Sequence, residues 1–170
     1  MRSHRRGPRA LVAIGLLLAV VSTTQAQAPA TRAEPRFTLW MGGGYGRGRA
    51  GSFEGVEEAF TVNVSAQRGH LLLSSRVAAV SSSIFATSWD LGVLAGLASS
   101  PERPIHVGAG LGLGYAKPAA AEGVFTVPAE LQVFWRATRF VGVGLYGFAT
   151  LNGTDSFRGA TLAFQVGRLR

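Results

Sequence analysis

From residue 36 onward, hydrophobic residues fall at every second position over most of the chain. The clearest run is Ile105, Val107, Ala109, Leu111, Leu113 and Tyr115, alternating with His106, Gly108, Gly110, Gly112 and Gly114. Successive side chains of a strand point to opposite faces, so a period of two predicts a strand with one apolar face and one nearly bare face. The same alternation marks Phe60–Gln67, Ser88–Leu97, Phe125–Trp135 and Thr161–Gly167, and more weakly Phe37–Gly46, His70–Val80 and Phe140–Thr150. That makes eight predicted strands. An even number of alternating segments, each of roughly ten residues, is the pattern of an all-β, antiparallel, transmembrane β-barrel.

The connections fit a meander of hairpins with no helical crossover. Arg47–Glu58, Ser81–Thr87, Ala116–Gly123 and Asn152–Asp155 join odd strands to the even strands that follow. Arg68-Gly69, Ser99–Arg103 and Arg136–Thr138 make the intervening turns. With the N-terminus in the periplasm, the first set faces outward and is on the whole the longer, as an outer-membrane barrel requires.

A soluble eight-stranded barrel of lipocalin or avidin type, holding a small hydrophobic ligand, is the competing reading. It would turn the apolar face inward and a charged face to water. Here the second face offers mainly Gly, Ser, Thr, Asn and Gln, with Arg76, Asp90 and Glu130 as its few strand charges. So bare a face suits the crowded interior of a narrow barrel. Tyr45, Phe60, Trp89 and Tyr115 fall toward the outer strand ends, and Phe37, Trp135 and Phe140 toward the periplasmic ends. Two such aromatic belts are expected at the two interfaces of a bilayer.

Residues 1–26 read as a cleaved signal peptide, 27–35 as a polar linker and 36–170 as the barrel domain. Arg2, Arg5, Arg6 and Arg9 precede the uncharged run Ala10–Val21, and Thr24-Gln25-Ala26 suits a cleavage site. Twelve apolar residues at helical rise cover roughly 18 Å, short of a bilayer core. The leader carries four of the 17 Lys and Arg residues and none of the nine acidic ones, so the remainder is 13 − 9 = +4. Those charges are scattered, which argues against nucleic acid. With no cysteine, disulfides, thiolate metal sites and cysteine nucleophiles are excluded.

The hairpin Phe125–Trp135, Arg136-Ala137-Thr138 and Phe140–Ala149, set among eight alternating strands behind a signal peptide, resembles the small outer-membrane barrels of the OmpA/OmpX type. The resemblance spans residues 36–170 and implies a surface-located membrane protein. Its implied partners are outer-membrane lipid and the barrel-assembly machinery. Such barrels usually end in an aromatic residue, whereas this chain ends Phe164-Gln-Val-Gly-Arg-Leu-Arg170. Related barrels serve as anchors, adhesins or enzymes, so the resemblance implies no single activity.

The chemistry on offer is sparse, and no cofactor is expected. Gly142-Val-Gly-Leu-Tyr-Gly147 matches GxGxxG, but no helix opens after it. Outside the leader, His70 and His106 fall at periplasmic strand starts, remote from Ser81–Ser83 at the outer rim, which argues against a Ser-His hydrolase. No histidine and carboxylate spacing suggests a metal. Asn152-Gly-Thr154 reads as a hairpin loop. What remains is a lumenal polar set, Arg76, Asp90, Glu130 and Gln132. Arg76 and Asp90 are expected diagonally across one hairpin, with Glu130 within reach across the lumen. An ion gate or catalytic carboxylate is one reading. The favoured reading is a structural network that satisfies buried charges inside a plugged, non-porin, non-enzymatic barrel, with any surface partner meeting the loops 47–58 and 152–157.

Overall fold

A computed structural model of the chain describes residues 36–51, 55–83, 86–119, 121–153 and 156–170. Residues 1–35, read above as signal peptide and linker, and residues in four of the loops lie outside the described residues. Eight strands follow one another: β1 Phe37–Ala50, β2 Glu57–Arg68, β3 Leu71–Ser83, β4 Ala86–Ala98, β5 Ile105–Lys117, β6 Val124–Trp135, β7 Val141–Leu151 and β8 Phe157–Arg168. Each pairs antiparallel with the next, and β1 pairs with β8, so the sheet closes on itself. Closure removes the unpaired edge that an open sheet presents. Among the described residues there is no helix.

All eight predicted segments are strands, and their apolar positions face out. Leu111 is 59% exposed and Val127 43%, whereas Gln132, on the other parity, is fully buried. The inverse holds for a soluble barrel, whose outward face is polar. Tyr45 and Phe60 face each other across β1 and β2, with ring centroids 5.0 Å apart, and Tyr115 sits between Trp89 and Phe125 at one end of β4–β6. Phe37, Ile105, Trp135 and Phe140 ring the opposite end.

The expected contrast in loop length does not survive. Arg47 is a ladder partner of Glu58, and Ser81 of Thr87, so the loops 47–58 and 81–87 are largely strand. What remains between strands is 51–56, 84–85, 118–123 and 152–156 at one end, against 69–70, 99–104 and 136–140 at the other. Phe157, taken as part of the last loop, is buried in β8. The physical reason is plain. Beyond the aromatic belt the outward face turns polar, so the alternation fades while backbone pairing continues. At the other end, Gly69 (φ 61°) supplies the left-handed residue for the short β2–β3 turn.

The glycines of the inner face differ in what a side chain would meet there. A Cβ at Gly110 would make ordinary contact with Glu130, at 3.4 Å. At Gly112 it would stand 1.9 Å from the Val93 carbonyl oxygen, and at Gly144 2.0 Å from that of Val133. These glycines allow close approach of neighbouring backbones where the sheet coils tightly.

Candidate functional site

The inner face of the barrel carries the polar chemistry, in three layers. In the first, Arg76 on β3 reaches Asp90 on β4. Register places Arg76 opposite Gly92 and Ala78 opposite Asp90, so the pair is diagonal. Arg76 Nη2 lies 2.6 Å from Asp90 Oδ2, and both side chains are inaccessible to solvent. The guanidinium also donates to the carbonyl oxygens of Ala129 (2.6 Å) and Ala149 (3.1 Å), and lies over the Phe148 ring, 5.6 Å from its centroid. Asp90 accepts from the Ala78 amide at 3.2 Å and from the Thr150 hydroxyl. One ion pair thus ties β3 and β4 to β6 and β7 across the lumen.

The second layer centres on Glu130, a buried carboxylate on β6. Ser74 Oγ donates to its Oε2 at 3.2 Å, the Tyr146 hydroxyl donates to the same oxygen, and Gln132 Nε2 donates to Oε1 at 2.9 Å. Gln165 Nε2 continues the chain to Gln132 Oε1 at 3.3 Å, while Asn63 and Ser65 extend it to Ser74 on the other side. Glu130 has no basic side chain within ion-pair distance among the described residues. Its charge is met by three donors. The four sequence-selected residues therefore form two groups, Arg76 with Asp90 and Glu130 with Gln132, rather than one ion-pair cluster.

The third layer escaped the sequence reading. Arg136, expected in a turn, is wholly buried just beyond the end of β6. Its Nη1 donates to the Pro101 carbonyl oxygen at 2.9 Å, its Nη2 to His106 Nδ1 at 2.8 Å, and its guanidinium lies 5.5 Å from the Trp40 ring centroid. The rings of Trp40 and His106 meet edge to face at 5.4 Å. Arg170 donates to the Arg136 carbonyl oxygen. Burial and the neighbouring Arg170 hold the Arg136 pKa down at about 10, so the group stays charged at neutral pH.

Apolar residues bracket these layers. Trp40, Leu72, Ala98 and Leu169 are buried together at one end; Val80, Phe148 and Phe157 belong to the cluster toward the other. Near the C-terminus, which lacks a terminal aromatic, Leu169 is buried, whereas Phe164 faces outward. His70 is exposed and bonds through Nδ1 to the Ala98 carbonyl oxygen, at the end opposite Ser81. Among the described residues no group of three His, Asp or Glu side chains is placed to hold a metal ion. The GxGxxG run lies inside β7, where no helix N-terminus follows it.

This is an all-β, closed eight-stranded antiparallel barrel with an apolar exterior and a polar interior. Its fold is that of the small outer-membrane barrels. Neisserial surface protein A (NspA) matches with a TM-score of 0.54 at 14% identity, over 75% of this chain and 96% of that one. Ail, the attachment invasion locus protein of Yersinia pestis, matches at 0.53 and 8% identity, over 79% of this chain and 99% of that one. No protein-family model and no curated protein sequence matches the chain.

Proposed function

We propose that this chain is a non-enzymatic outer-membrane β-barrel, exported by its signal peptide and inserted by the barrel-assembly machinery, with a structural or surface-interaction role. The observation that carries this reading is the inverted polarity. Phe125, Leu113, Leu111, Val93 and Val166 are more than half exposed, while Arg76, Asp90, Glu130 and Gln132 are buried. Only lipid makes that arrangement favourable, since burying apolar area contributes about 25 cal/mol per Å². The two named surface proteins of the same fold support the same kind of role. Trp40, Phe134, Tyr146, Phe148 and Phe157 are buried within the lumen and favour a plugged barrel over a porin.

Surface interaction would use the end where residues 51–56 and 152–156 lie. There Arg49, Ala50, Leu151, Phe157 and Arg158 line a depression of about 380 Å³. The test is the folded barrel in detergent, run on SDS gels with and without boiling and then assayed in planar bilayers. A heat-dependent change in migration together with no open-pore conductance is expected. A soluble monomer that folds in plain buffer, or a steady porin-like conductance, would contradict the reading.

A further inference from the structure

The barrel end that carries strand β1's start and strand β8's finish is strongly basic on one side. Arg139 precedes β7, Arg168 closes β8, Arg36 precedes β1 and Arg68 closes β2, and all four side chains are exposed. These strands are consecutive neighbours round the closed sheet. The Leu169 amide donates to the Arg139 carbonyl oxygen, Arg168 stands opposite Leu39, and Arg68 stands opposite Phe37. The four arginines therefore follow one another in an arc along β7, β8, β1 and β2. Across the barrel, the ends of β3 and β6 offer His70 and Trp135, and Arg136 is buried.

Counter-charge is short along this arc. Among the described residues the one carboxylate within ion-pair distance of it is Glu102, 3.7 Å from Arg36, and both of those side chains are more than half exposed. So open a surface pair neutralises little. The opposite end is mixed, with Arg47, Arg49, Lys117 and Arg158 standing among Glu57, Glu58 and Glu122. The arc also has a definite depth. Phe37 and Phe140 belong to the aromatic belt of this end, and the Arg139 guanidinium lies 4.9 Å from the Phe140 ring centroid. Such belts mark headgroup level, and an arginine rooted on the apolar rim carries its charge outward to the headgroups. There a guanidinium meets phosphate oxygens, to which its planar fork of donors is matched. Four of them with so little carboxylate complement a leaflet of net negative charge.

Resting on the reading of this chain as a membrane barrel, we propose that the arc of Arg36, Arg68, Arg139 and Arg168 binds the headgroups of anionic phospholipids in the leaflet at its own end of the barrel. It selects lipids such as phosphatidylglycerol, whose phosphate charge no amine cancels, over zwitterionic ones. Because the arc covers β7, β8, β1 and β2 alone, these lipids collect on that side of the barrel. The charges are exposed, so the preference weakens as salt is raised.

The test refolds the barrel into phosphatidylcholine vesicles carrying a trace of spin-labelled phosphatidylglycerol or spin-labelled phosphatidylcholine. The motionally restricted fraction of each label gives their relative affinity for the barrel surface. At low salt the parent should favour phosphatidylglycerol severalfold. Combining Arg36→Gln, Arg68→Gln, Arg139→Gln and Arg168→Gln should abolish that preference, while Arg49→Gln with Arg158→Gln, at the other end, should keep most of it. Should the fourfold variant fail to fold, the two double variants, Arg36→Gln with Arg68→Gln and Arg139→Gln with Arg168→Gln, should each lower the preference part of the way. A barrel whose migration still changes with heat but which shows no preference for phosphatidylglycerol would overturn this proposal alone. So would a preference that survives loss of the arc, or one that disappears equally on substitution at the other end. A chain that folds in plain buffer and restricts neither label would instead contradict the membrane reading on which the proposal rests.

Discussion

Arg76 and Asp90 face each other at 2.6 Å inside the barrel, on diagonal positions of adjacent strands, with neither side chain reaching solvent. The pair is satisfied on every side, by carbonyl oxygens of β6 and β7 around the guanidinium and by an amide and a hydroxyl at the carboxylate. Removing one member is therefore far worse than removing both. Asp90→Asn should destabilise the folded barrel by about 3–5 kcal/mol, because the charge on Arg76 is left buried alone. Arg76→Met combined with Asp90→Leu should cost much less. Urea unfolding of the micelle-folded barrel compares the two, and equal losses would count against a buried pair.

Glu130 behaves differently because its charge is met by hydrogen bonds rather than by a cation. Tyr146→Phe removes one of three donors and should cost about 1–3 kcal/mol. The same variant should leave the heat-dependent gel shift intact at room temperature. Complete loss of folding would show that the layer is less redundant than its geometry indicates.

The inner-face glycines and the loop glycine Gly153 separate by what a side chain would meet. Gly112→Ala and Gly96→Ala place a methyl 1.9 Å from the carbonyl oxygens of Val93 and Ala109, and the backbones must move. Each should cost about 1–3 kcal/mol, as overpacking does. Gly153→Ala meets nothing within 4 Å and should be neutral. Thermal midpoints of the three variants check the ordering.

The exterior should be sensitive to charge by depth. Leu111→Arg, near the middle of β5, should destabilise the bilayer-inserted barrel by about 2–4 kcal/mol. Thr87→Arg, on the exposed end of β4 beyond Trp89, should fall within about 1 kcal/mol of the parent, as expected near the interface. Equal effects at the two positions would remove the depth dependence on which the reading rests.

How much of this was legible in the sequence depends on where period two holds. It holds over the apolar belt, so the eight strands and their faces could be read from residues such as Ile105 to Tyr115. It fails past Tyr45 and Phe60, where the outward face becomes Arg47, Arg49 and Glu58, and the ladder runs on unseen. The diagonal of Arg76 and Asp90 was readable because one short hairpin fixes the offset of its own strands. The partners of Glu130 were not, because Ser74 reaches it from β3 across the lumen and no local spacing encodes that approach. Arg136 carried a signal that was available: Phe134 is inward and Trp135 outward, so the next position returns to the interior. Trp40 was hidden by treating aromatics as interface residues alone, although its parity matches inward-facing Thr38.

The most direct test of the central claim uses the natural absence of cysteine. Leu111→Cys and Gln132→Cys, each labelled with a small environment-sensitive fluorophore, are refolded into vesicles containing lipids brominated at mid-chain. Strong quenching at Leu111→Cys and weak quenching or failure to label at Gln132→Cys is the predicted result. Quenching at neither position, or at Gln132→Cys alone, would contradict a barrel that turns its apolar face to lipid.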